Sequence, residues 1–211
     1  MAVTEELIAA NPVAKVKKPV RTVQRRVEQW PPLAVEQLRA QLSIGHATLI
    51  SVLAYAGLRP GEALALSWVD VGKRALRVTR SISHGAEKRT KTGANRSVRL
   101  LAPLVEDLAA WKAATTRPGG LVFPRASGVP WTDDDWRNWR HRTFQANAEA
   151  IGRLKARPYD LRHSFVSLLI AEGRTVIDVA GQAGQSPETA CATTRTCSRS
   201  SIRACACRPR S

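Results

Sequence analysis

From His46 to Trp68 the chain reads HATLISVLAYAGLRPGEALALSW, and no other stretch limits its fold so strongly. The first half is apolar around its whole helical circumference, which belongs in a core rather than on a surface. It runs to Gly57, and Pro60 then opens a second short helix with Leu/Ala spacing. Arg59 and Glu62 are the formal charges of this segment. A charge beside a core is costly unless it is solvated or matched. Arg59 is therefore either a solvated helix end or the place where something negative sits.

Charge balance bears on that choice. Lys and Arg number 33 against 17 Asp and Glu, a formal net charge of +16. Such a surplus points to a polyanion, either nucleic acid or a membrane surface. No apolar run reaches the ~18 residues of a membrane span, and the N-terminus lacks the charged-then-apolar pattern of a signal peptide. The expectation is a soluble, intracellular chain with no membrane contact and nucleic acid as its partner. Ribosomal-type RNA binding is the alternative open to any basic chain. With 211 residues, 44% of them hydrophobic, there is material for one core, or one domain with appendages. The cysteines, Cys191, Cys197, Cys205 and Cys207, all fall in the tail, without C-x-x-C spacing and far from the nearest histidine, His163. They fit neither a zinc site nor a disulfide framework.

The elements follow from periodicity and punctuation. LIAANPVAKVKKPVRTVQRR begins as a helix end and becomes a basic, proline-punctuated linker. Helices are expected over 31–42, 46–58, 60–68, 103–115, 132–150, 159–173 and 175–184. ALRVTRSI and RSVRLL alternate and predict a hairpin with a basic tip, while LVF at 121–123 predicts a brief strand. The fold class is mainly α with a small antiparallel β-sheet (α+β), and no internal repeat is visible.

Three cations stand on three different elements: Arg59 in GLRPGE, Lys91 in the hairpin's TKTG, and Arg162 in YDLRHS. Each alone reads as an ordinary helix-end, turn or helix-face residue. Together they suit one phosphate. Two guanidiniums can grip a phosphodiester and hold the extra charge of a pentacoordinate transition state. A lysine can protonate the leaving oxygen, which an arginine cannot readily do.

AGLRPGEALALSW, TKTGANRSVRL, PYDLRHSF and AGQSPET, in that order, resemble the catalytic domain of the tyrosine recombinase (phage integrase) family over about residues 30–194. The resemblance implies that Arg59, Lys91 and Arg162 are catalytic and that Glu62 positions Arg59. It sets Tyr159 at the histidine of the family's H-x-x-R motif and Gln185 at its second His-or-Trp position. Lys88, Arg89, Arg96 and His163 are expected to contact DNA. The family cuts a DNA strand with a tyrosine, leaving a 3′-phosphotyrosyl link, and uses no metal or nucleotide cofactor. Its partner is double-stranded DNA, on which an intact chain would work as a homo-tetramer. Residues 1–29 resemble a linker and the end of a core-binding domain mostly lying before Met1, 30–190 the catalytic domain, and 191–211 a basic appendage.

One departure weighs most. The nucleophilic tyrosine is expected nine residues after Gln185, where Thr194 stands, and none follows. Residues 193–202 written as ACT ACT CGC ACG TGT TCG AGG AGT TCG ATC give, from the third base, Tyr-Ser-His-Val-Phe-Glu-Glu-Phe-Asp. That resembles the family's ending, with the tyrosine correctly spaced. The tail as written holds five arginines and no acid, as a shifted frame would. The expectation is a recombinase by descent that does not recombine as written. A type IB topoisomerase-like protein and a non-catalytic DNA-binding remnant stay open beside it.

Overall fold

An apolar helical rod lies at the centre of the computed structural model, which describes residues 29–83, 86–89, 95–117 and 119–190, apart from the side chains of 88 and 89, and has eight α-helices among them. The rod is α2 (Ile44–Tyr55), buried from Thr48 onward and packed between α1 (Pro32–Arg39), α4 (Ala102–Ala114) and α7 (Asp160–Ala171). Leu49, Ile50, Val52 and Leu53 are all but inaccessible. At about 2 kcal/mol for each fully buried aliphatic side chain, this helix is the main anchor of the core.

The chain leaves α2 through Gly57, at φ 60°. A Cβ there would lie 2.2 Å from the Phe165 ring, so the site excludes a side chain by both backbone angle and space. Arg59 then caps α3 (Pro60–Leu64), with Pro60 at its first position. Leu64, Ala65 and Ile82 form a satellite cluster against Trp131 and Trp136.

The β region departs from the expected simple hairpin. The run 75–82 divides at Thr79 into β1 (Ala75–Val78) and β2 (Arg80–Ser83). β1 pairs antiparallel with β4 (Arg96–Arg99), and β2 with β3 (Ala86–Arg89), giving two two-stranded ladders. β4 stops short of Leu101, which caps α4 ahead of Pro103. The strand expected at 121–123 is a single bridge, Ser67 to Leu121. Its partner segment turns at once into a 3₁₀ turn at Trp68–Asp70, so no ladder can extend.

The helix expected over 132–150 is one rod in three parts: α5 (Asp133–Trp139), a π-helical turn (Arg140–Gln145) and α6 (Ala146–Ala150). Thr132 accepts from the Asp135 N–H, and the Asp135 carboxylate accepts from the Thr132 N–H, a capping box. The π turn has a packing cause. Trp139 and Phe144 are both buried, with ring centroids 5.9 Å apart, yet they are five residues apart, a step an α-helix would rotate off one face. Last comes α8 (Val176–Ala183), capped by Thr175 and closed by Gly184 at φ 59°.

Candidate functional site

Glu62 is the centre of the site. Its carboxylate is 3% exposed and accepts four N–H groups: the Arg59 backbone N–H at 2.7 Å, Arg59 Nη1 at 2.9 Å, and Arg96 Nη1 and Nη2 at 2.8 and 2.6 Å. That uses the roughly four acceptor positions a carboxylate offers. Burial alone would raise its pKa, but the hydrogen bonds and charge of Arg96, then those of Arg59, outweigh it and hold the group at about 2.

The three guanidiniums around Glu62 also end on three consecutive carbonyls. Arg96 Nε donates to Gln182 O at 3.0 Å, Arg162 Nη2 to Ala183 O, and Arg59 Nη2 to Gly184 O at 2.6 Å. These are the last carbonyls of α8, which lack intrahelical donors and carry the negative end of the helix dipole. Gly184 permits the approach, since a Cβ there would lie 2.8 Å from Arg96 Nη1. Arg162 reaches in the other direction to Gly57 O. The outcome is three guanidiniums against one carboxylate, a cluster with two positive charges in excess.

Exposure divides the three. Arg162 is 2% exposed, and burial, followed by the charges of Arg59 and Arg96, pushes its pKa down; an arginine nonetheless stays protonated near neutrality. The Arg96 side chain is 10% exposed, while that of Arg59 is 42% exposed.

The expected site residues are placed as follows. Arg59, Glu62 and Arg162 meet in one cluster. Arg96, expected to contact DNA, is instead directed inward, because Glu62 and Gln182 O take up its Nε and both terminal nitrogens. Gln185 follows Gly184 directly; its N–H bonds Ala180 O at 3.1 Å, and its buried Nε2 has no partner among the described residues. Tyr159, exposed at the start of α7, meets His163 edge-on with centroids 5.6 Å apart. Burial lowers the pKa of half-buried His163, leaving it mainly neutral at pH 7. Lys88 and Arg89 are seen only as backbone in β3, and Lys91, Thr194 and the cysteine tail lie outside the described residues.

Sequence reasoning missed two features. The carbonyls of α8 were not read as partners for arginine, although Gly184 marked that helix end. A separate cavity of about 440 Å³ also escaped notice, lined by His46, Arg125, Trp131, Asn138, Trp139 and Arg142. Among the described residues, no group of three His, Cys, Asp or Glu could hold a metal, and no helix is long and apolar enough to cross a membrane.

This mostly helical body, with its small antiparallel ladders and its arginines gathered at helix ends, has the fold of tyrosine recombinase catalytic domains. The Tn1549 transposon integrase, solved with a circular intermediate DNA, superposes with a TM-score of 0.71 at 15% identity, over 96% of this chain and 74% of that one. The XerA recombinase gives 0.64 at 19% identity, covering 92% and 68%. The catalytic domain of bacteriophage HP1 integrase gives 0.56 at 16%, covering 85% and 96%. No curated protein matches the chain in sequence. The profile of the Phage integrase family matches residues 28–185. The chain belongs to the phage integrase family.

Proposed function

We propose that this domain grips a phosphate of double-stranded DNA in the manner of a site-specific recombinase, and that the chain as written does not cut the strand. The observation that carries the reading is the gathering of Arg59, Arg96 and Arg162 at the end of α8, with Glu62 bonded to the first two and acting on the third as a nearby charge. The surplus charge attracts an anion, and the half-exposed Arg59 is the donor an anion meets first. Arg162 supplies a second guanidinium from behind it, in surroundings where charge acts at reduced screening. Solved relatives, an integrase with circular intermediate DNA and XerH with its difH substrate, favour duplex DNA as the source of that phosphate.

In this reading Arg59 and Arg162 stabilise the charge of the pentacoordinate phosphorus, and Lys91 protonates the departing 5′ oxygen. What is lacking is the attacking hydroxyl. Tyr55 is buried, donates to Glu36 and has its pKa pushed up by burial and that carboxylate, so it is no nucleophile. Tyr159 is exposed, but it stands at the head of the helix that carries Arg162, where the resemblance gives it a phosphate-binding role. Losing a covalent nucleophile costs on the order of 10⁶ in rate.

Two measurements test this. Duplex affinity should fall with salt at a slope of about −0.9 per phosphate contacted, and R59A and R162A should each weaken it. On a nicked suicide duplex the unmodified chain should form no covalent adduct. Restoring the shifted frame from Thr193 should yield one, and Thr194→Tyr alone only a little, because the residues after it remain scrambled. Salt-insensitive binding would remove the phosphate grip, and an adduct on Tyr159 would overturn the loss of cleavage.

A further inference from the structure

Arg96 touches two elements that Arg59 also bridges. Its terminal nitrogens bind both oxygens of Glu62 in the α3 N-terminal turn, while its Nε binds Gln182 O at the end of α8. Its Cα lies on β4, opposite Val78 in the ladder, so the sheet fixes where the guanidinium starts. Gly184 lets that guanidinium lie against the end of α8, since a Cβ there would sit 2.8 Å from Arg96 Nη1. Beyond Arg96, the same two helix ends supply the acceptors that aim the other arginines: Glu62 for Arg59 Nη1, Gly184 O for Arg59 Nη2, and Ala183 O for Arg162.

We propose that Arg96 is a positioning residue: it locks the start of α3 to the end of α8 and thereby sets the directions in which Arg59 and Arg162 present their remaining N–H groups to phosphate. This rests on the phosphate reading above. A planar fork suits the task because it fixes two oxygens and a third acceptor at once, which a lysine's point charge cannot do. The lock also orders the segment entering Gln185, since the Gln185 N–H is bonded back to α8.

The charges facing Glu62 are Arg59 on its own helix, Arg96 on β4 and Arg162 on α7. The elements packed on α3 add no competitor. Arg80 of β2 is held by Asp70 and Glu87, Tyr55 of α2 by Glu36, and His46 of α2 lies against Trp131 and Trp139. The Glu62 carboxyl therefore reports on Arg96 directly.

The experiment uses the full chain with R96Q and R96K, with the R96Q change also placed in an R59A/R162A background. In the free chains, carbon NMR should show Glu62 still ionised at pH 4 in the parent, with its midpoint raised into the ordinary carboxylate range in R96Q and between the two in R96K. Amide exchange at 182–185 should quicken in both variants. Duplex affinity should drop on the order of tenfold in R96Q, with little recovery in R96K, because a bidentate site does not accept lysine. In the R59A/R162A background the R96Q change should have almost no further effect, since it acts through those two residues. R96K retains a cation opposite Glu62, so it keeps the test alive if R96Q does not fold. Full rescue by R96K, or an undiminished R96Q effect in the double background, would make Arg96 a direct phosphate contact and overturn the proposal. Salt-insensitive binding by the parent would instead defeat the phosphate reading itself, and a Glu62 titration still governed by Arg96 would then mark a purely structural pair.

Discussion

Two buried regions of this molecule treat polar atoms in opposite ways. Around Glu62 every carboxylate position is matched, and the arginines continue onto backbone carbonyls. In the aromatic corner, Trp136 stacks on Trp139 at 4.9 Å and Trp131 meets Trp139 nearly edge-on, yet the buried Nε1 of Trp131 and of Trp139 lacks a partner among the described residues. The first region is held by direction, the second by area and shape. Directional networks tolerate almost no change of partner, whereas aromatic packing tolerates the loss of a hydrogen-bonding atom it never used.

The largest effect should come from Glu62→Gln, which removes the one negative charge among three buried or half-buried cations. A loss of about 3–5 kcal/mol in denaturant-derived stability is expected, the usual cost of breaking a buried pair on one side. If that variant unfolds like the parent, the two regions do not differ as described. Acid sharpens the same point. Glu62 is held at about 2, below its ordinary 4.5, so the unfolded chain takes up this proton before the folded one does. Its contribution is complete above about pH 4.5 and is lost as pH falls toward 2, amounting to roughly 3 kcal/mol. Stability curves of the parent and Glu62→Gln should therefore converge at low pH.

A smaller effect is expected in the aromatic corner. Trp131→Phe removes an unpartnered N–H along with some ring area and should cost only about 1 kcal/mol by thermal unfolding. Smallest of all is Asp134→Ala, which removes the exposed pair with Arg137 and should change stability by less than about 0.5 kcal/mol. A cost there equal to that at Glu62 would show that exposure does not order these interactions.

Much of the site could be read from residues alone. Arg59 and Arg162 stood out because each interrupts an apolar helical pattern, and Gly57 and Gly184 marked the ends of the helices that now hold them. The direction of Arg96 was also legible. In R-S-V-R, Arg96 has the parity of Val98, which is fully buried, so both face inward. The break at Thr79 had no local signal, because pairing β1 with β4 and β2 with β3 is a choice made by long-range partners. What the arginines bind within the chain was equally hidden, since backbone carbonyls carry no sequence identity.

The π turn has a consequence for how this chain tolerates changes of length. A wide turn takes up one residue more than an α-helix needs, leaving the flanking segments in phase. Arg140, His141 and Arg142 all lie on its outer, exposed side between buried Trp139 and Phe144. Removing any one of them shortens the step from Trp139 to Phe144 to a single α-helical turn, and both rings can still face the core. A one-residue deletion inside α2, by contrast, would rotate every later core position away from its neighbours. A one-residue deletion should therefore be tolerated better at this turn than inside α2.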